Sequence, residues 1–166
     1  MPCPEQCFGI RVMPYGGTPS DRAAFRDSGA SAHRVRKRGG MGSGLVLICD
    51  DDPLLTELLE HRLGQRGYRT AVARDGGEAL AMLMADPPDA VIMEAMLPVH
   101  DGHEVLRHIR QSSAAKDLPV IILSARRQEG DIVAALELGA SDYVTKPFIL
   151  EELVARLARL MPGSRG

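Results

Sequence analysis

The 166-residue chain contains no tryptophan, and aromatic residues together make up only 4% of it. Hydrophobic residues nevertheless reach 45%, so we expect a soluble globular core built from leucine, isoleucine, valine, alanine and methionine. No run of about 20 consecutive apolar residues occurs, which excludes a membrane-spanning helix. The N-terminus also lacks the apolar stretch that follows a basic start in secretory signals, and we predict no such signal.

Cysteine is scarce as well, because the chain has only three, an odd number that does not suit a disulfide framework. Cys3 and Cys7 lie near the N-terminus, and no second pair of ligands follows at the spacing of a zinc site. A disulfide between Cys3 and Cys7 is kept as the alternative to two unpaired cysteines. Cys49 lies inside an apolar segment, where we interpret it as a small buried hydrophobe. This usage of cysteine predicts a reducing, cytoplasmic setting.

Neither sign of charge dominates, since the net charge is −2 with histidine neutral, and this balance predicts neither a nucleic-acid partner nor a membrane partner.

Residues 1–43 differ from the rest, with seven Lys or Arg against three Asp or Glu and many Gly, Pro and Ser. We interpret them as a disordered leader because they show no sustained apolar period. The basic cluster at 33–38 is interpreted as a solvated tail, with a nucleic-acid or partner patch as the alternative. Met41 is a second candidate for the translation start.

Between residues 44 and 161, short apolar segments alternate five times with segments of helical periodicity, and residues 162–166 form a short tail. Such alternation predicts one α/β domain, in which a doubly wound parallel sheet carries helices on both faces. The predicted strands are Leu45–Cys49, Arg69–Ala73, Ala90–Met93, Pro119–Leu123 and Tyr143–Thr145. The predicted helices begin at or near Pro53, Gly77, Gly102, Glu129 and Leu150.

Residue types that can carry chemistry stand just past these predicted strands. Asp50 and Asp51 follow the first strand, Glu94 ends the third, Ser124 ends the fourth and Lys146 follows the fifth. Ligands of an open parallel sheet bind beyond the carboxyl ends of its strands, so we expect these five residues to meet there. Each of them alone is common in loops. Their appearance in order, strand after strand, indicates a site for phosphoryl transfer.

The acids of this edge suggest a metal ion, because crowded carboxylates repel one another unless a cation neutralises them. Oxygen ligands favour a hard cation, and Mg²⁺ is the usual one at phosphoryl sites. We predict Asp50 and Asp51 as its ligands, with Glu94 and the backbone carbonyl of Met96 completing the site. Asp52 is assigned instead to the N-cap of the first helix.

Six segments of the chain carry a family likeness: LVLICDDDP, RDGGEAL, DAVIMEAMLPVHDG, LPVIILSAR, ELGASDYVTKPF and EELVARL. The stretch from residue 44 to about 160 resembles the receiver domain of two-component response regulators. Its last helices are most similar to receivers of winged-helix transcription factors. The resemblance implies a flavodoxin-like five-stranded sheet of order 2-1-3-4-5. It also implies Mg²⁺ held by Asp50 and Asp51.

The same resemblance assigns roles to the remaining residues of the edge. Glu94 stands at the phosphoacceptor position, and Lys146 matches the lysine that senses the phosphoryl group. Ser124 matches the switch hydroxyl and Tyr143 the switch aromatic, with simple surface packing as the alternative for Tyr143. The implied partners are a histidine kinase, which donates the phosphoryl group in this family, and a downstream effector.

Glu94 departs from the family, whose phosphoacceptors are aspartate. The extra methylene adds about 1.5 Å of reach. The carboxylate is then displaced from the in-line geometry on which phosphoryl transfer depends. We therefore predict inefficient phosphorylation and a phosphorylation-independent module that acts by partner binding. Two states stay open: a phosphomimetic, active-like form in which Glu94 pairs with Lys146 and hydrogen-bonds Ser124, and a pseudo-receiver fixed in an inactive form.

Two other functions remain as alternatives to this reading. One is a conventional Mg²⁺-dependent phosphoacceptor in which Glu94 still accepts a phosphoryl group slowly. The other is a phosphatase of the haloacid-dehalogenase type, because Asp50 and Asp52 have its D-x-D spacing. Against the phosphatase, Leu54 stands where that motif expects Thr or Val, and the sequence shows no late acidic pair. We predict that the protein is not an enzyme.

The end of the chain offers a surface for self-association. Opposite charges there predict a possible homodimer through the last two helices and the fifth strand, with solvated surface charges as the alternative. The residues concerned are Asp142, Glu152, Arg156 and Arg159.

Overall fold

A computed structural model of the chain describes residues 44–161, and its centre is a five-stranded sheet. The strands are β1 (Leu45–Cys49), β2 (Arg69–Ala73), β3 (Ala90–Glu94), β4 (Val120–Ser124) and β5 (Asp142–Thr145). Every neighbouring pair is parallel, in the order β2-β1-β3-β4-β5, which confirms the predicted α/β class and strand order. The predicted leader at 1–43, with its cysteines and basic cluster, and the tail at 162–166 lie outside the described residues.

Five helices alternate with the strands: α1 (Pro53–Gln65), α2 (Gly76–Ala85), α3 (Gly102–Gln111), α4 (Glu129–Glu137) and α5 (Leu150–Leu160). The predicted N-cap of α1 is confirmed, because the Asp52 side chain accepts hydrogen bonds from the amides of Leu54 and Leu55. Pro53 occupies the first turn, where its missing N–H leaves no helical bond unmade. Within the described part of the chain, no helix has the length and apolar character needed to cross a membrane.

Four strand boundaries, in three of the strands, differ by one residue from those that the sequence predicted. β3 includes Glu94, β4 runs from Val120 to Ser124, and β5 begins at Asp142. Pro119 stays outside β4, although its carbonyl still accepts a hydrogen bond from the amide of Val91 at 2.9 Å. Because Glu94 pairs with Leu123 and Ser124 with Thr145, the sheet itself fixes the backbone of both residues.

Apolar side chains cover both faces of the sheet, as expected for strands whose residues are nearly all hydrophobic. One face carries Val46, Ile48, Ile92 and Ile121 and packs against α1 and α5. The opposite face carries the alternate residues of the same strands and packs against α2, α3 and α4. All residues of β1, β3 and β4 are buried. The polar end of each strand therefore projects from a rigid core.

Gly102, the first residue of α3, packs directly against the backbone at the end of β3. A Cβ atom at this position would lie 2.5 Å from the carbonyl oxygen of Glu94 and 3.1 Å from the Cα of Ala95. Both neighbours are backbone atoms, which cannot move aside as a flexible side chain would. Gly102 also donates its amide to the carbonyl of Ala95 at 2.9 Å. The close approach of α3 thus depends on the absence of a side chain here.

We predict that Gly102→Ala lowers the free energy of unfolding by about 1–3 kcal/mol, because the new methyl group overpacks the junction of β3 and α3. The matched control is Gly130→Ala in α4, where a Cβ atom meets nothing within 4 Å. That substitution should raise stability by about 0.4–1 kcal/mol by restricting the unfolded chain. Urea unfolding followed by circular dichroism measures both. Equal effects of the two variants would contradict the close approach.

Candidate functional site

Three charged side chains converge at the carboxyl edge of the sheet. Asp50 follows β1 directly, Glu94 is the last residue of β3, and Lys146 follows β5. β1 and β3 are neighbours, whereas β4 separates β3 from β5. The long side chain of Lys146 therefore reaches back across the sheet edge to the two acids.

The ammonium group of Lys146 contacts both carboxylates at once. Its Nζ lies 2.8 Å from Oδ2 of Asp50 and 2.5 Å from Oε2 of Glu94. The side chains of Asp50 and Glu94 are only 2% and 10% exposed, and that of Lys146 is 25% exposed. Two largely buried acids thus share one cation, which offsets the repulsion that they would otherwise exert on each other.

Backbone amides occupy the other oxygen of each carboxylate. The amide of Asp52 donates to Oδ1 of Asp50 at 3.0 Å. The amide of Met96 donates to Oε1 of Glu94 at 3.1 Å. All four carboxylate oxygens therefore accept a contact from the protein itself, which is what buried charged groups require.

The pKa of Lys146 is raised above the usual value for lysine. Burial is the largest single influence and acts to lower the pKa, but hydrogen bonds and charge attraction from Asp50 and Glu94 together outweigh it. Lys146 is consequently a permanent cation at neutral pH.

The other residues predicted as metal ligands are not gathered around the same point. Asp51 is exposed to solvent, and the backbone amide of Met96 donates a hydrogen bond to Glu94. Among residues 44–161, no group of three or more His, Cys, Asp or Glu side chains is arranged to hold a metal ion. A cation that bound Asp50 and Glu94 together would compete with Lys146 for the same oxygens. The donor set thus fits a magnesium ion poorly.

Ser124 and Tyr143 meet at the backbone of one residue, Arg126. The buried hydroxyl of Ser124 accepts a hydrogen bond from the Arg126 amide at 3.1 Å. The hydroxyl of Tyr143 donates to the Arg126 carbonyl at 3.1 Å. The expected hydrogen bond between Ser124 and Glu94 is not among the contacts of the described chain. The loop after β4, residues 125–128, lies between the two side chains that the resemblance assigns to the switch.

The contacts that hold the backbone of Lys146 could not be predicted from the sequence. Its amide donates to the carbonyl of Ser124 at 2.7 Å, and its carbonyl accepts from Nη2 of Arg127 at 3.1 Å. Arginines in loops are usually solvated, and no local pattern distinguishes Arg127 from its neighbour Arg126. Only the three-dimensional arrangement shows that the loop after β4 anchors Lys146.

The sequence profile of the response regulator receiver domain matches residues 46–158. The response regulator MprA of Mycolicibacterium vanbaalenii is 45% identical over 116 residues, which is 70% of this chain and 49% of that protein. The chain thus spans about half the length of the curated relatives that it matches.

Solved structures show the same likeness. A receiver domain of a Francisella response regulator is 34% identical, with a TM-score of 0.68 over 72% of this chain and 97% of that one. The receiver domain of a sensor histidine kinase from Pseudomonas aeruginosa is 33% identical, with a TM-score of 0.66 over 72% and 98%. The latter was solved with a magnesium ion coordinated in its active-site cleft.

We predict that Lys146→Met destabilises the protein at neutral pH, because two buried acids lose their cation. The loss should be roughly 1–3 kcal/mol, less than for a fully buried pair since part of the lysine is exposed. Because the pKa of Lys146 is raised in the folded state, its ion pair stabilises the protein fully at any pH below the pKa that the lysine has in the unfolded chain. This stabilisation is lost as the pH rises through the pKa of the folded state. The difference between the natural chain and the variant should therefore stay constant from about pH 7 to 10 and shrink at more alkaline pH.

Urea unfolding of both proteins across this pH range measures the difference. Lys116→Met is the matched control, because Lys116 is exposed in the loop after α3. It should leave stability nearly unchanged at every pH. A difference for Lys146→Met that grows as the solution becomes more alkaline would contradict the ion pair.

Proposed function

The chain belongs to the response regulator receiver domain family, and on this premise we propose that it is a receiver whose signalling does not depend on phosphorylation of residue 94. It is a receiver domain of two-component signalling. In our proposal it acts by binding a partner protein while Glu94 and Lys146 hold the domain in a single state. The observation that carries the proposal is the shared ion pair of Lys146 with Asp50 and Glu94.

The contacts of Glu94 argue against efficient transfer of a phosphoryl group to it. One of its oxygens is bound by the ammonium of Lys146 and the other by the amide of Met96. An attacking oxygen must approach the phosphorus in line with the leaving group, and positioning accounts for most of the catalysis in this reaction. The extra methylene of glutamate and its fixed contacts both work against that approach.

The hydrogen bonds of the Asp52 side chain speak against the phosphatase alternative. In a D-x-D phosphatase the second aspartate must exchange protons with the substrate. Here Oδ1 of Asp52 accepts hydrogen bonds from the amides of Leu54 and Leu55 at 2.9 and 3.3 Å. Its side chain is therefore committed to capping α1.

The partner in this proposal is a protein, either a histidine kinase or a downstream effector. The homodimer through α4, β5 and α5 remains a prediction. Its charges are already paired within the chain, since Arg156 contacts Asp142 at 2.9 Å and Glu152 at 2.6 Å. A dimer through this face would have to exchange these pairs for equivalent pairs between chains.

The proposal predicts different outcomes for the natural chain and Glu94→Asp when both are incubated with magnesium and a small phosphodonor. We expect only the aspartate variant to gain the mass of one phosphoryl group, because its shorter side chain restores the family's acceptor. Intact-protein mass spectrometry measures the labelled fraction of each.

Glu137→Asp is the matched control, since it makes the same chemical change at an exposed position of α4. Glu137→Asp should remain unlabelled, which would show that labelling requires an aspartate at position 94. Equal labelling of the natural chain and Glu94→Asp would defeat the proposal.

A further inference from the structure

Asp50 and Glu94 present two negative charges in a site that is largely closed to water. Isolated buried carboxylates are expensive, and a protein accommodates them with a cation, with hydrogen-bond donors or by taking up a proton. This site has one ammonium group, from Lys146, and two backbone amides, from Asp52 and Met96. The charge and the hydrogen bonds are thus supplied from within the chain.

We infer that the ammonium of Lys146 takes the place of a divalent cation between Asp50 and Glu94, so that this receiver keeps its site assembled without bound metal and excludes Mg²⁺ while Lys146 is in place. The inference rests on the proposed function, because it states what holds the site in one state in the absence of phosphoryl chemistry. It concerns the regulation of the same site: the natural chain should not respond to magnesium concentration.

The geometry supports this exclusion in two ways. A divalent ion that joined the two acids would need oxygens that Lys146 already contacts at 2.8 and 2.5 Å. It would also stand within a few ångströms of a positive charge, and two cations at such a distance repel strongly even in a polar medium.

Neighbouring groups offer little to offset that repulsion. Asp51 is exposed and so provides a ligand only at the solvent side, and the side chain of Asp52 caps α1. The two arginines of the loop after β4 add positive charge, and neither contacts Asp50 or Glu94 among the described hydrogen bonds and ion pairs. Arg126 approaches Asp131 at 3.4 Å, and Arg127 donates to the carbonyl of Lys146 at 3.1 Å.

The test titrates magnesium chloride, without a phosphodonor, into the full chain, Lys146→Met and Lys116→Met, with binding followed by isothermal titration calorimetry. We expect the natural chain and Lys116→Met to show no saturable binding up to millimolar magnesium. Lys146→Met should bind at least about ten-fold more tightly, because removing a charge in contact with the site relieves its repulsion of the divalent ion. Magnesium should also raise the thermal midpoint of Lys146→Met alone.

Tight binding by the natural chain, or binding by Lys146→Met that is no tighter than that of the natural chain, would overturn the inference. A second measurement needs no variant and holds even if Lys146→Met does not fold. The ¹⁵N resonance of the Lys146 ammonium, read against that of exposed Lys116, should not move when magnesium is added. A shift or loss of the Lys146 signal in step with magnesium would also overturn the inference.

These outcomes separate the inference from the proposed function. If Glu94 were labelled by a phosphodonor while Lys146 still excluded magnesium in the binding assay, the proposed function would fail and the inference would stand. If Glu94 resisted labelling while the natural chain bound magnesium tightly, the inference would fail alone.

Discussion

The ammonium group of Lys146 is the constraint on which the rest of this site depends. Without it, Asp50 and Glu94 would be two largely buried negative charges at the ends of adjacent strands, an arrangement that favours protonation, a metal ion or unfolding. With it, every one of their carboxylate oxygens has a partner within the protein. The same contact that stabilises the charges also occupies the oxygens on which phosphoryl and metal chemistry would rely.

The fold holds Lys146 where this contact is possible. Its backbone is bound by the Ser124 carbonyl on one side and by the Arg127 side chain on the other. Ser124 in turn is the last residue of β4, so the register of the central strands fixes the position of the lysine. The loop after β4 also joins the hydroxyls of Ser124 and Tyr143 through the backbone of Arg126. Hydrogen bonds thus connect the backbone of Lys146, through Ser124 and Arg126, to Tyr143 of β5.

Much of this could be predicted from the sequence, because it follows from local patterns. Continuous apolar segments predicted the buried strands, and polar residues after four of the five strands predicted which side chains share an edge. Other features depend on distances that no local pattern encodes. The sequence suggested a pair of Lys146 with Glu94, but neither the second contact of Lys146 with Asp50 nor the hydrogen bond from the Met96 amide to Glu94. The contact of Arg127 with the Lys146 carbonyl could not be predicted, because a loop arginine lies in no periodic pattern that would indicate its partner.

The most direct test of the central claim is a crystal structure of the natural chain, grown with millimolar magnesium, at a resolution that distinguishes a metal ion from an ammonium group. We expect the Nζ atom of Lys146 within hydrogen-bond distance of both Asp50 and Glu94, with no metal between them. A metal ion bridging these two carboxylates, with Lys146 turned towards solvent, would contradict it.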